Sequence, residues 1–501
     1  MDSESVYDIL VVGGGINGVG IARDAAGRGL KVSLCEQDDL ASHTSSASSK
    51  LVHGGLRYLE YYEFGLVRKS LKEREVVLRL APHIVWPLKL ALVHDAGQRP
   101  AWMIRLGLFL YDHLGGRELL PSCEGIDLHQ HVAGHPIESR FKKGFVYSDC
   151  WVQDARLVVL NAMDAVERGA EVLTRTKCIK ATRKENSWHA ELQCADGVNR
   201  TISTRCIVNA AGPWVTDFID GGLRLPRENG IRLVQGSHIV VPRMFEHEYA
   251  YLFQNADKRV VFIIPYEQKF TLIGTTDVDY QGDPADVEIS AAEISYLCAA
   301  ANRYFKQKLT AADVVSSYAG VRALVDDGSD DASAVTRDYR LELDTVEGNA
   351  PLLSVFGGKL TTYRKLAEHV MDELKDVLSI SAAPWTAHAP LPGGDIDNVD
   401  FAGFLKSFRE RHSWLPAELA WRYARNYGTR AESIIGDAQS LNQLGKKICA
   451  DLYEVEARYL VKHEWARTAD DILWRRTKLG LLVSGDDVQC LNEWLTKDLK
   501  N

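Results

Sequence analysis

The chain has 501 residues, of which 46% are apolar and 25% charged, a composition typical of a globular protein with roughly two to four domains. Its formal net charge of −9 disfavours a general nucleic-acid-binding function, so we expect no nucleic-acid partner. The nine cysteines contain no C-x-x-C pair, which argues against an iron–sulfur or zinc centre and predicts reduced thiols in a cytoplasmic protein.

The chain opens with the pattern of a dinucleotide-binding β–α–β unit. Residues 9–12 predict a buried strand, followed by a helix rich in small residues and a second strand at 31–34. The first loop has three glycines at G-x-G-x-x-G spacing: Gly13, Gly15 and Gly18. They permit a tight turn and a close approach to a pyrophosphate, which the helix N-terminus also attracts. Glu36 can bind ribose hydroxyls and would repel a 2′-phosphate, so NADP is disfavoured while FAD and NAD stay open.

A more basic segment follows at residues 63–118. Within it, residues 99–116 (RPAWMIRLGLFLYDHLGG) predict an apolar helix that includes Trp102, Leu106 and Phe109. Such a helix can lie in the interface of a bilayer. Periodicity by itself favours the plainer alternative, a helix buried in an ordinary core. No apolar run in the chain reaches about 18 residues, so we expect no membrane-spanning segment.

The rest of the chain divides into a strand-rich part and a helical part. Strands and turns dominate residues 171–283. A Pro-Gly stretch at 389–397 (APLPGGDID) is the clearest linker. Beyond it the sequence predicts mainly helices, so we expect a separate C-terminal helical domain.

Seven further stretches point to one family. In chain order they are TSSASSKLVHGGLRYLE (44–60), SDCWVQDARL (148–157), VNAAGPW (208–214), GTTD (274–277), YAGVRAL (318–324), TRDY (336–339) and FGGKLTTYRKLAE (356–368). Together with the glycine loop they closely resemble the aerobic, FAD-dependent glycerol-3-phosphate dehydrogenases of bacteria, which belong to the D-amino-acid-oxidase-like flavoproteins. The resemblance extends to HEWARTADDILWRRTK in the tail. One departure is Ala323 after Arg322, where we expect a proline in the family.

The resemblance implies an α/β fold. It has a glutathione-reductase-like, Rossmann-type FAD-binding domain, an antiparallel-sheet substrate domain and an α-helical C-terminal domain. We expect a discontinuous FAD-binding domain formed by residues 1–75, 150–215 and 310–385. The substrate- and membrane-facing domain then takes residues 76–149 and 216–309, and the helical domain takes residues 386–501.

The resemblance also implies an activity. The reaction is oxidation of sn-glycerol 3-phosphate to dihydroxyacetone phosphate, with hydride transfer to N5 of non-covalent FAD and electrons passed to ubiquinone or menaquinone. A homodimer attached peripherally to the inner leaflet of the cytoplasmic membrane is implied too, which moves the interpretation of the Trp102 helix towards membrane contact. Two alternatives stay open. An oxidase would reduce O2 to H2O2, but such relatives usually carry a mid-chain insertion that this chain lacks. A non-catalytic flavin-binding protein would lack the phosphate-binding cations.

The dianionic phosphate of this substrate requires fixed cations, and arginine suits bidentate phosphate binding. The resemblance assigns four: Arg57, Arg322, Arg337 and Lys359. It also places His238 near the flavin, where a histidine suits a general base, with His53 as its rival. The predicted catalytic residues are His238, Arg322, Lys359 and Arg57. Two hydroxyl residues complete the predicted substrate site: Tyr58 and Thr361.

The predicted FAD site draws on several distant segments. The glycine loop holds the pyrophosphate and Glu36 the adenosine ribose, while serines and turns contact the other phosphate, ribityl and ring atoms. The predicted FAD contacts are Gly13, Gly14, Gly15, Ile16, Asn17, Gly18, Glu36, Ser45, Ser46, Ser49, Lys50, His53, Gly55, Leu56, Cys178, Gly212, Trp214, Gly358, Lys359, Leu360 and Thr361.

Overall fold

The computed structural model describes residues 6–95, 97–227, 229–255, 257, 259–326, 338–345 and 349–499. The apolar runs at the start of the chain form the expected unit of strand β1 (Tyr7–Val12), helix α1 (Ile16–Gly27) and strand β2 (Val32–Cys35). β1 and β2 are parallel and largely buried. A Cβ atom on Gly20 of α1 would lie 2.7 Å from the ring of Tyr363, so small residues let α1 pack closely against its neighbours.

An eight-stranded sheet is built around β1. Its other strands are β7 (Glu171–Leu173), β8 (Thr176–Lys184), β9 (Ser187–Cys194), β10 (Asn199–Asn209), β17 (Arg340–Asp344) and β18 (Leu352–Phe356). The parallel centre has the order β18–β10–β1–β2–β7, while β17 and the β8–β9 hairpin are antiparallel additions. Helices α1, α4 (Asp154–Glu167) and α7 (Tyr363–Glu373) contribute to its hydrophobic core.

A second sheet of ten strands is mostly antiparallel. Its strands are β3 (Leu51–Val52), β4 (Val85–Val93), β5 (Glu124–Asp127), β6 (Lys143–Val152), β11 (Ile231–Pro242), β12 (Ala250–Gln254), β13 (Val260–Tyr266), β14 (Phe270–Gly274), β15 (Val278–Asp279) and β16 (Ser316–Val325). The order is β15–β11–β14–β13–β12–β4–β6–β3, with β16 paired to β11 and β5 to β6. Helix α6 (Ala291–Tyr304) shares its core.

The sheets divide the chain differently from the predicted boundaries at two places. The prediction assigned β16 and β3 to the FAD-binding domain, yet both pair within the second sheet. For β16 the reason is its long antiparallel register with β11, which runs from Val325 opposite Ile231 to Ser316 opposite Val240. The sequence motif YAGVRAL lies within β16 but gives no sign of which sheet the strand joins.

The remaining helices lie around the two sheets and in the C-terminal domain. They are α2 (Phe64–Leu80), α3 (Ala101–Leu114), α5 (Val215–Asp217), α8 (Lys375–Leu378), α9 (Phe401–Arg411), α10 (Ala417–Tyr427), α11 (Ala431–Ile435), α12 (Glu454–His463) and α13 (Gly485–Asp498). A short hairpin joins β19 (Lys447–Cys449) to β20 (Leu452–Tyr453). The C-terminal domain has its own hydrophobic core, as the predicted helices require.

Buried ion pairs attach the C-terminal domain to the first sheet. Arg476 donates to both carboxylate oxygens of Asp39 at 2.6 and 2.8 Å, and Arg156 of α4 pairs with Glu464. All four side chains are buried. Because a buried charge is costly without its partner, these pairs fix where the domain docks.

Helix α3 presents an apolar face to solvent. Trp102 is 65% exposed, Leu106 50% and Phe109 57%, whereas Leu108 and Tyr111 on the opposite face are buried. The prediction of a helix is correct, and the alternative of a fully buried core helix is wrong. Within the described ranges, no helix combines the length and apolarity needed to cross a membrane.

Candidate active site

A cleft of about 770 Å³ is lined by residues of both sheets and has the size of a cofactor site. It brings together the glycine loop, the serine-rich stretch, the HGGLRY turn, β11, β16 and the GGKLT turn. The predicted site residues that line it are Gly13, Gly15, Ile16, Asn17, Glu36, Ser45, Ser49, His53, Gly55, Leu56, Arg57, Tyr58, Cys178, Gly212, Trp214, His238, Arg322, Gly358, Lys359, Leu360 and Thr361.

Two glycines of the loop require the absence of a side chain. Gly13 has a φ of +111°, and a Cβ atom there would lie 2.5 Å from the carbonyl oxygen of Ala210. A Cβ atom on Gly18 would lie 1.9 Å from the carbonyl oxygen of Gly13. These close approaches let α1 begin at the cleft, where Ile16 and Asn17 of its first turn lie. The positive end of the helix dipole therefore faces the space that a pyrophosphate needs.

Glu36 lies beside the glycine loop in the cleft. Its carboxylate accepts hydrogen bonds from the backbone N–H groups of Gly14 (2.6 Å) and Asp38 (2.9 Å). Burial raises the pKa of Glu36, and the two backbone hydrogen bonds oppose that rise. Cys178 lies against Cys35, the neighbour of Glu36, and also lines the cleft. This part of the cleft fits an adenosine ribose.

The serine-rich stretch contributes less to the cleft than the sequence predicted. Ser45 accepts a hydrogen bond from the N–H of Ile16 at 3.0 Å. The ammonium of Lys50 instead turns inward, where it donates to both carboxylate oxygens of Asp154 at 2.9 Å and to the carbonyl of Ser46 at 3.0 Å. The predicted FAD contacts that do not line the cleft are Gly14, Gly18, Ser46 and Lys50.

Two turns from distant parts of the chain meet beside α1. The side-chain amide of Asn17 donates to the carbonyl of Gly357 at 3.2 Å, and the N–H of His53 donates to the hydroxyl of Thr361 at 3.2 Å. These hydrogen bonds hold the HGG and GGKLT turns in place around the cleft. Burial lowers the pKa of His53, so its imidazole is neutral near pH 7.

Arg322 is held firmly at the cleft wall. Its guanidinium forms an ion pair with Asp277 and donates to the hydroxyl of Thr275 at 2.9 Å and the carbonyl of Thr276 at 3.1 Å. Its side chain keeps 25% of its surface exposed. A fixed, partly exposed guanidinium of this kind can bind an anion that enters the cleft.

Two other predicted cations line the same cleft as Arg322. The ammonium of Lys359 lies 3.7 Å from the ring centroid of Tyr58, and the guanidinium of Arg57 lies 5.9 Å from that of Tyr61. Cations over aromatic faces keep their charge while the rings limit their motion. Arg337, the fourth predicted cation, lies outside the described residues.

His238 of β11 is buried in the cleft wall. Its Nε2 atom lies 2.9 Å from the hydroxyl of Ser49, and its ring stacks on that of Tyr318 with centroids 4.8 Å apart. Its Nδ1 atom has no hydrogen-bond partner among the described residues. Burial, and then the charges of Lys50 and Arg322, hold the pKa of His238 well below its usual range. The histidine is therefore neutral near pH 7 and able to accept a proton.

The predicted site did not include the residues that hold Arg322 and His238 in place. Asp277 and Thr275 fix Arg322, and Tyr318 supports His238, although all three stand in the quoted motifs GTTD and YAGVRAL. The carboxylate of Asp277, at the end of GTTD, was the one feature of the sequence that could have indicated an ion pair in the site. Its partner could not be read from the sequence, because Asp277 and Arg322 are 45 positions apart.

Comparison with known proteins places this site in a family. The profile of the FAD dependent oxidoreductases matches residues 8–364, and that of the C-terminal domain of alpha-glycerophosphate oxidase matches residues 384–496. The chain belongs to the FAD-dependent oxidoreductase family. The predicted family, fold class and FAD cofactor are thereby confirmed.

Several known proteins are similar to this oxidoreductase over nearly their whole length. A glycerol-3-phosphate dehydrogenase of Pseudomonas aeruginosa is 55% identical over 98% of this chain and 96% of its own. A D-erythritol 1-phosphate dehydrogenase of Brucella abortus is 54% identical over 99% and 98%. Among solved structures, a glycerol-3-phosphate dehydrogenase of Bacillus halodurans complexed with FAD has a TM-score of 0.80 at 28% identity, covering 99% of this chain and 92% of that one.

The residues present in this oxidoreductase fit FAD. Backbone at the glycine loop approaches too closely for side chains, the N-terminus of α1 faces the same space, and the carboxylate of Glu36 lies beside it. The loop would hold the pyrophosphate and Glu36 the adenosine ribose, as the sequence predicts. The predicted flavin contacts His53 and Lys359 line the same cleft, as does His238.

Proposed function

We propose that this flavoprotein oxidises the C2 hydroxyl of sn-glycerol 3-phosphate and forms dihydroxyacetone phosphate. The observation that carries the proposal is one cleft that joins a dinucleotide-binding loop to His238 and to three cations, Arg57, Arg322 and Lys359. Oxidation of a phosphorylated alcohol requires a neutral base for the hydroxyl proton and fixed positive charge for the phosphate. The sequence relatives named above support the same substrate class.

The cations bind and orient the substrate. A phosphate monoester carries close to two negative charges near pH 7, and Arg322 offers a planar fork that matches its oxygens. Lys359 and Arg57 add positive charge along the lining of the same cleft. Holding the phosphate end fixes the position of the alcohol relative to His238, which lowers the entropic part of the barrier.

His238 removes the hydroxyl proton. Oxidation of the alcohol to the ketone releases one proton from the hydroxyl oxygen and one hydride from C2. The neutral imidazole of His238, which lines the cleft, accepts that proton. When bound, FAD would supply the hydride acceptor, its N5 atom. We propose that FAD is held without a covalent bond, with His53 beside it rather than attached to it.

Anaerobic mixing of the purified flavoprotein with sn-glycerol 3-phosphate tests the proposal. We expect rapid bleaching of the visible band of the oxidised flavin and one equivalent of dihydroxyacetone phosphate per flavin. A parallel titration with D-erythritol 1-phosphate compares kcat/KM for the two polyol phosphates. Faster reduction by erythritol 1-phosphate would reassign the substrate but keep the chemistry, whereas a flavin that neither compound bleaches would refute the proposal.

We also propose that the electrons pass to ubiquinone or menaquinone at the inner face of the cytoplasmic membrane. The exposed apolar face of α3 supports membrane contact, because a monomeric soluble protein rarely exposes such a patch without a partner. The turn Leu56–Tyr61 contacts α3, and Tyr61, which is exposed, also lines the cleft. We retain the homodimer as a prediction from the resemblance. Rapid reoxidation of the bleached flavin by air, without quinone, would favour the oxidase alternative instead.

Membrane attachment and catalysis should be separable. Replacing Trp102, Leu106 and Phe109 with serine removes the exposed apolar face without touching the cleft, so liposome binding should fall by at least about tenfold. Reduction of a soluble dye by sn-glycerol 3-phosphate should stay within about twofold of the parent rate, because α3 packs through its buried face. Liposome sedimentation and dye-linked assays measure the two properties.

A matched control uses three equally exposed apolar residues elsewhere. Val198 (59% exposed), Val315 (53%) and Leu482 (51%) lie outside α3, and their replacement with serine should leave liposome binding unchanged. Equal loss of binding in both triple variants, or equal loss of binding and dye reduction in the α3 variant, would contradict separability.

A further inference from the structure

Ser49 touches the proposed base directly. Its hydroxyl oxygen lies 2.9 Å from Nε2 of His238, although 189 positions separate the two residues. Both side chains line the cleft. A hydroxyl in contact with one nitrogen of an imidazole can donate to that nitrogen or accept from it, so the surroundings of the other nitrogen decide which one carries the proton.

Two tautomers of His238 are compatible with this contact. If Nε2 carries the proton, Nε2 donates to the hydroxyl oxygen of Ser49 and Nδ1 keeps a lone pair. If Nδ1 carries the proton, a buried N–H group has no acceptor among the described residues, because Nδ1 has no partner there. A buried donor without an acceptor is costly, so the geometry favours the proton on Nε2. In that tautomer the lone pair of the neutral ring lies on Nδ1.

The structure holds Ser49 at this position from both sides. The hydroxyl of Ser48 donates to Asp154 at 2.7 Å, and the ammonium of Lys50 donates to the same carboxylate at 2.9 Å. The backbone N–H of Lys50 donates to the Ser48 hydroxyl at 2.9 Å. The hydroxyl of Tyr318, whose ring stacks on His238, donates to the carbonyl of Ser48 at 2.8 Å. Asp154 and Tyr318 thus fix the backbone on which the Ser49 hydroxyl stands.

We propose that Ser49 is a positioning residue that holds His238 in the tautomer with an unprotonated Nδ1. The role of His238 as base belongs to the proposed function, on which this inference rests. The other charged and titratable groups around His238 are Lys50, Arg322 and Tyr318. Lys50 and Arg322 act on its charge state, since both disfavour the protonated imidazole, whereas Ser49 acts on the position of the single proton of the neutral ring.

Nitrogen NMR of the holoenzyme reads the tautomer without any substrate. Protein labelled with 15N-histidine should show His238 as a neutral ring protonated at Nε2, with its signals identified by their absence in His238→Gln. In Ser49→Ala the two tautomers should become mixed. In Ser49→Thr, which keeps a hydroxyl, the Nε2 tautomer should return. A ring protonated at Nδ1 in the parent protein, or an unchanged tautomer in Ser49→Ala, would overturn the proposal.

Kinetics provides the second readout. Loss of one neutral hydrogen bond should lower kcat by about tenfold in Ser49→Ala with KM changed less than about twofold, and Ser49→Thr should restore most of it. Ser295→Ala, which removes an exposed hydroxyl on α6, should match the parent enzyme. An unchanged kcat in Ser49→Ala would reject the positioning role. Failure of the proposed function would look different, because no polyol phosphate would then bleach the parent flavin while the tautomer measurement still decides the role of Ser49.

Discussion

Replacing His238 with glutamine should reduce kcat/KM for sn-glycerol 3-phosphate by about 10²- to 10⁴-fold, the range that a general base contributes. Bound flavin and substrate affinity should change little, because glutamine keeps a polar side chain of similar reach and the cations remain. Stopped-flow reduction of the flavin and equilibrium substrate titration separate these effects. His388→Gln, which alters an exposed histidine far from the cleft lining, is the control.

The pH profile of the parent enzyme provides an independent check on His238. Its pKa lies well below the usual range because of burial, Lys50 and Arg322, so the neutral base persists below pH 6.5. We therefore expect kcat to fall as the pH drops through that lowered pKa, on the acid side of pH 6.5; kcat is compared because kcat/KM also falls as the phosphate of the free substrate, with a second pKa of about 6, takes up a proton. The acid limb should disappear in His238→Gln. A profile unchanged by the substitution would assign the base elsewhere, with His53 the first alternative.

Replacing Arg322 with methionine should raise KM for the phosphorylated substrate by about 100-fold, as expected when one partner of a hydrogen-bonded, partly buried charge pair is removed. Two effects add together. The substrate loses a cation for its phosphate, and Asp277, whose side chain is only 11% exposed, loses the guanidinium that offsets its charge. The remaining carboxylate then repels the incoming dianion. Initial-rate kinetics over a wide substrate range measures the change.

A second substitution separates the two effects at Arg322. Arg322→Met combined with Asp277→Asn removes the repulsion without returning the cation, so it should recover about tenfold of the lost affinity. Arg322→Lys should bind the substrate more tightly than Arg322→Met but less tightly than the parent enzyme, because lysine keeps the charge but lacks the planar fork. Arg68→Met removes an exposed arginine of α2 and should leave KM unchanged. Equal KM values in Arg322→Met and Arg68→Met would remove Arg322 from the phosphate site.

Some features of this protein were predictable from short stretches of its sequence. The glycine loop was predictable because its requirements are local: a turn, a close backbone approach and a helix N-terminus all lie within residues 13–18. The helix at Ala101–Leu114 and the helical tail follow in the same way from periodicity. The resemblance supplied His238 and Arg322, but not what fixes them.

Side-chain direction and long-range contacts needed the tertiary structure. Lys50 and Ser49 are neighbours in one serine-rich stretch, yet the ammonium of Lys50 pairs inside the protein with Asp154 while the hydroxyl of Ser49 reaches His238 in the cleft. The residue types in this stretch do not show which side chain turns inward and which reaches the cleft. Lys50 itself adopts a left-handed backbone conformation with φ of +57°, which sends the two side chains in different directions.

By itself, then, the sequence determined a dinucleotide-binding unit and the main elements, because hydrophobic periodicity and glycine spacing act over a few residues, while the family and FAD came from the resemblance. The tertiary structure decided which face of α3 stays exposed, how Arg476 and Asp39 dock the C-terminal domain, and how Asp277 contacts Arg322 and Ser49 contacts His238. These features depend on contacts between residues tens to hundreds of positions apart. Such contacts form only when the sheets pack and buried charges and polar groups must find partners, a constraint on the whole fold rather than on any one segment.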